Sequence, residues 1–161
     1  MEDNNIRIHS TLDMGYDFFI IDKWGKNYHF KISTFVVPSG LLSEAFEVIE
    51  NNFDNEPRVF HILSPFDSDI EKAELQLKGK IKKGINKRYL DYKEGKYSLG
   101  DNLEFAGRIL IDHISYNDSE TDYCFQVDGK MISVEQFLNL LSEVNGFNFK
   151  FSIFDTTDEI D

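Results

Sequence analysis

The sequence predicts an α+β fold, an antiparallel sheet of about six strands with three helices packed mainly on one face. Three observations point there. Short runs alternate apolar and polar residues at period two, longer runs repeat apolar residues at steps of three and four, and glycine-containing turns separate them. The clearest stretch is 123–154, where a strand, an Asp128-Gly129 turn, a helix, an Asn145-Gly146 stop and a further strand follow one another.

Taken in order, Ile6 and Ile8 alternate with Arg7 and His9 and mark a short strand. Phe18–Asp22 and Tyr28–Ser33 read as a hairpin joined at Lys23-Trp24-Gly25-Lys26. In it Tyr28, Phe30 and Ile32 share one face, His29 and Lys31 take the other, and Trp24 covers the rim of the core. After Pro38-Ser39-Gly40, the spacing of Leu42, Ala45, Phe46, Ile49 and Phe53 predicts a helix with Glu44, Glu47 and Glu50 toward solvent. Val59–Leu63 reads as a strand. Ser68 and Glu71 then form a capping box, with Asp67 and Asp69 at the positive end of the helix dipole. A long helix follows, its stripe running through Ile70, Leu77, Ile81 and Ile85 to Tyr89 and Tyr92. Gly79 and Gly84 inside it permit close packing, a kink or the approach of a ligand.

Leu103–Tyr116 is a strand with a bulge at Gly107, and Tyr123–Val127 returns antiparallel to it. Ser133 and Gln136 cap the third helix, on which Val134, Phe137, Leu138, Leu141 and Val144 make a stripe. Phe147, Phe149, Phe151 and Ile153 alternate with polar residues as in a half-buried strand. Phe137 and Phe149 are expected to be buried against each other's elements. Residues 1–154 read as a single domain and 155–161 as an acidic, frayed tail.

Composition narrows the function classes. Seventeen basic and 29 acidic residues give a net charge of −12, which disfavours indiscriminate binding to nucleic acid or anionic lipid. No apolar run is long enough to span a membrane, and Met1-Glu2-Asp3-Asn4-Asn5 lacks the pattern of a secretory leader. A lone cysteine, Cys124, fits a reducing compartment, so the expected location is cytoplasmic. Within 72–96, however, nine basic and three acidic residues give a local +6. Lys78, Lys80, Lys82, Lys83, Lys87 and Arg88 are the candidate binding surface, with Lys80, Lys83 and Lys87 facing solvent together. The bland reading of this run is a solvated helix face.

No catalytic, cofactor or metal constellation stands out. The histidines are not at zinc-ligand spacing from one another or from Cys124. Asp112 and His113, being strand neighbours, point to opposite faces. The acidic cluster at 67–69 is accounted for by helix capping. Gly79–Gly84 is not a phosphate loop, because no Ser or Thr follows its lysine and it lies within a helix. The leading expectation is a non-enzymatic binding or regulatory protein that docks a macromolecular partner, a protein or a second copy, through a charge-polarised surface. Nucleic-acid binding through the basic helix 78–88 is one alternative. The other is an enzyme of unrecognised type around His29, His61 and His113.

Three segments carry a resemblance: Lys23–Phe30, Gly107–Asp112 and the terminal unit with Val127-Asp128-Gly129-Lys130, Val134–Phe137 and Gly146–Phe151. Together they resemble an uncharacterised bacterial domain family, a domain of unknown function, in element order over most of the chain. The resemblance implies a small bacterial α+β protein and no particular activity.

Overall fold

A computed structural model describes residues 14–50, 55–112 and 122–158. The expected strand at Ile6–Ile8, His9 and His113 lie outside them. The described residues form nine strands in three antiparallel sheets of four, two and three strands, together with two helices. The α+β class holds, while the single six-stranded sheet and the three helices are replaced by this smaller-sheeted arrangement. Two compact units divide the chain. One is built from the described residues up to Ile49, from 57–84 and from Phe154 onward, the other from 50–56 and 85–153.

The first unit is a meander, β1 (Tyr16–Ile21), β2 (Asn27–Val37), β3 (Gly40–Glu47) and β4 (Val59–Ser64), paired in that order. Asp22 fixes its first turn: one carboxylate oxygen accepts from the Trp24 and Lys26 amides and the other from the Tyr28 hydroxyl. Tyr28, Phe30 and Ile32 are buried as the alternation requires, and Ile32 faces Ala45, which faces Phe60. Residues 42–47, expected as helix, are strand. The inward row of β3 includes Ser43 and Glu47, and both are satisfied: Ser43 Oγ lies 2.8 Å from Thr34 Oγ1, and Glu47 accepts from the Arg58 amide.

Helix α1 (Ile70–Ile85) lies across this face. Its Ala73, Leu77 and Ile81 are buried, and Glu74 accepts from the hydroxyls of Tyr16 and Thr34. Asp69, rather than Ser68, caps it, accepting from the Glu71 amide at 2.9 Å. Of the two helix glycines, Gly84 permits close packing: a Cβ there would stand 2.6 Å from the Phe60 ring, whereas Gly79 faces open space. The helix ends at Ile85, so the stripe does not continue to Tyr92.

In the second unit, Tyr92 belongs to a hairpin of β5 (Leu90–Lys93) and β6 (Lys96–Leu99), where its ring meets that of Tyr97 across the pair. A three-stranded sheet follows: β7 (Arg108–Asp112), β8 (Asp122–Val127) and β9 (Lys130–Ser133). The Asp128-Gly129 turn closes β8–β9 with positive φ at both residues, and Asp128 also accepts from the amides of Tyr89 and Leu90. Helix α2 (Val134–Ser142) starts with the expected capping box between Ser133 and Gln136. Leu90, Val127, Ile132 and Leu140 form the core, with a triad of rings, Phe105, Phe125 and Phe137, packed against it.

Candidate docking surface

Helix α2 carries apolar residues on two stripes. The one turned inward contains Leu140, fully buried, and Phe137, half-buried among the other rings. The other, Val134, Leu138 and Leu141, is exposed by 44%, 58% and 43%. A helix apolar on more than its core-facing stripe has surface left for a further partner.

After α2, Gly146 takes φ +85° and the Phe147 amide donates to Val144, which turns the chain out of the helix. The expected strand 147–153 is not formed: these residues belong to no strand or helix. Among the described residues no strand pairs with them, and Phe149 is 91% exposed, so it is not buried against α2. Phe147, Phe151 and Ile153 are also exposed. Phe137 finds Phe105 and Phe125 in place of Phe149. The period-two pattern is intact in sequence, and among the described residues no strand pairs with it.

The two edges of the adjoining sheet differ among the described residues. At β9, Asn55 bridges to Lys130 and the Glu56 amide donates to Gly129, so residues 55–56 occupy part of that edge. Lys130 Nζ also reaches Asn55 Oδ1. At β7 no described strand pairs with the outer edge. On the face shared with Phe125 and Ile132, β7 presents Ile109 and Ile111, about half exposed, with Tyr123 opposite Ile111.

The basic residues are distributed differently from the expectation. Lys80 does not face solvent freely: its ammonium donates to the carbonyls of His61, Thr156 and Asp158, and so holds the described part of the tail. Lys78 sits 5.3 Å and 5.1 Å over the rings of Tyr16 and Phe18. Lys82 and Lys83 are exposed on α1. Lys87 and Arg88 lie beyond the helix, in the second unit. Lys87 pairs with Glu104 at 2.8 Å, and that carboxylate raises its pKa above the ordinary lysine value.

The two described histidines lie on the sheet face away from α1. His29 Nε2 meets Asp17 at 2.7 Å and its ring stacks on Phe19, while Lys31 binds the same carboxylate oxygen. Hydrogen bonds from Lys31 and His29 hold the Asp17 pKa below its ordinary value. His61 pairs with Glu44, and Ser33 lies opposite Glu44 in the next strand. That row places the carboxylate between serine and histidine, whereas nucleophile activation needs the histidine in the middle. Cys124 is buried, its sulfur near the Leu110 carbonyl and Met131. Among the described residues no group of three or more His, Cys, Asp or Glu is placed to hold a metal ion, and no helix is long and apolar enough to cross a membrane.

Comparison with known families divides the chain at nearly the boundary between the two units. Residues 13–86 match the family described as Domain of unknown function (DUF7686), and residues 89–158 match Domain of unknown function (DUF7713). Both matches agree with an uncharacterised domain family. No curated protein and no solved structure matches the chain.

Proposed function

We propose that this chain is a non-enzymatic binding protein that docks a protein partner by strand addition, with 147–153 as the docking element. The observation that carries this reading is the alternating segment 147–153, outside every ladder among the described residues, whose four apolar side chains are all exposed. Magnitudes say what kind of contact it makes. Burying four such side chains yields about 6–12 kcal/mol, against about 4–15 kcal/mol lost on association. Side chains alone leave little surplus, so the main chain must pair as well, which requires an edge strand on the partner. The engagement of Lys80 with three carbonyls weakens both the charge-patch version of docking and the nucleic-acid alternative. The lone Cys124 and the acidic composition support a cytoplasmic setting, and the family resemblance a bacterial one.

A photoactivatable phenylalanine analogue at position 149 tests this in the source cell. A discrete light-dependent protein adduct is expected there and at position 151, with none at Glu135 on exposed helix surface. Equal yields at all three positions, or no adduct at any, would contradict the reading.

A further inference from the structure

We infer that the occupant is a second copy of this chain, each copy laying its 147–153 strand along the β7 edge of the other; this rests on the docking reading above. The unit itself carries both halves of the contact. Segment 147–153 has the apolar alternation of a strand but pairs with none, and the outer edge of β7 is likewise unpaired, among the described residues. The other edge of the sheet, β9, is partly occupied by residues 55–56, which leaves β7 as the acceptor.

The chemistry of the two surfaces agrees. Added antiparallel or parallel to β7, the strand places alternate side chains on one face of the sheet, because successive strand residues point to opposite sides. With its phenylalanines on the α2 side, they extend the row begun by Ile109 and Ile111. Asn148, Lys150 and Ser152 then fall on the other side. Sequence length fits too, since the seven residues of the strand cover the five of β7.

Area and symmetry fix the stoichiometry. Three phenylalanines and an isoleucine present on the order of 500 Å² per strand. One addition buries that much and a comparable acceptor surface, somewhat below a stable interface. Two reciprocal additions related by a two-fold axis reach the standard size of about 1,600 Å² and leave neither strand unpaired. A one-way addition would repeat into a filament, so closure favours the dimer.

Sedimentation of the full chain tests this with two exposed-site variants, Phe149→Asp in the donor strand and Ile109→Lys on the acceptor edge. Charge on an edge strand blocks pairing without entering the core, and an unchanged unfolding transition confirms that both variants stay folded. The parent is expected to sediment as a dimer at tens of micromolar, and each variant to associate at least about tenfold more weakly. Mixed in equal amounts, the two variants recover association between that of parent and either variant, because a mixed pair retains one intact donor on one intact acceptor. A parent monomeric up to about 100 µM overturns the second-copy assignment, and so does a mixture no better associated than its parts. Loss with Phe149→Asp but not with Ile109→Lys overturns β7 as acceptor. A monomeric parent that still gives the position-149 adduct with another protein overturns the second copy alone; failure of both experiments overturns docking itself.

Discussion

Phe30→Ala is expected to lower the stability of the first unit by about 3–5 kcal/mol, the range for truncating a fully enclosed phenylalanine. Phe30 is 0% exposed, meets the edge of Phe60 at 5.8 Å between centroids, and lies between Tyr28 and Ile32 on the row that α1 covers. Alanine there loses the buried area and leaves a cavity that a paired central strand cannot collapse. The single tryptophan, Trp24, sits in the β1–β2 turn, so its fluorescence during urea unfolding reports this unit alone. A transition shifted by less than about 1 kcal/mol would show that Phe30 is not enclosed.

Gly40→Ala is expected to cost roughly 3 kcal/mol or more for two separate reasons. The residue has φ +145°, a conformation side chains rarely adopt, which costs about 1–3 kcal/mol. The added carbon would also stand 2.2 Å from the Ser64 carbonyl oxygen, a backbone atom of the adjoining strand that cannot rotate away. Overpacking of that kind adds about 1–3 kcal/mol. Gly79→Ala is the internal contrast: it is helical, nothing lies within 4 Å of its added carbon, and stability is expected to rise by up to about 1 kcal/mol. Equal effects from the two substitutions in the Trp24 assay would remove the close approach of β3 to β4 as an explanation.

Several elements were legible because their local signals are self-sufficient. The Asp128-Gly129 turn, the Ser133–Gln136 capping box and the face shared by Tyr28, Phe30 and Ile32 all stand as read. Strand β3 was not legible, and its residues show why. Ser43 and Glu47 point inward with hydrogen-bond partners, while Leu42 and Phe46 lie on the other face, so polarity along the strand does not track burial. What remained visible was the spacing of Leu42, Ala45, Phe46 and Ile49, which imitates a helix. The long helix was overrun for a related reason. Tyr89 and Tyr92 continue its period by coincidence, whereas the Glu94-Gly95 turn, with positive φ at both residues, commits Tyr92 to a hairpin strand, and Tyr89 lies just ahead of it.

The proposed docking segment was legible in pattern, while its expected burial against α2 was not met. Phe147, Phe149, Phe151 and Ile153 announce a strand with one apolar face, and nothing in such a pattern states whether the surface it covers is in the same chain. On α2, periodicity placed Phe137 on one stripe with Val134, Leu138 and Leu141. Phe137 does turn to the core, but those three are exposed, and the fully buried residue is Leu140, which the stripe did not include. The lysines of α1 were the more conspicuous feature. Their partners, main-chain carbonyls for Lys80 and two rings for Lys78, are set by tertiary placement that charge counting does not reach.

Amide hydrogen exchange across 147–153 tests the docking strand most directly, because it reads the main-chain pairing on which the account depends. At a concentration where the chain is associated, amides along one edge of this strand are expected to exchange at least about tenfold more slowly than in Phe149→Asp. The protection should fade on dilution together with the dimer. Fully associated protein whose 147–153 amides exchange as fast as an unstructured peptide would contradict it, since the partner would then be held by some other surface.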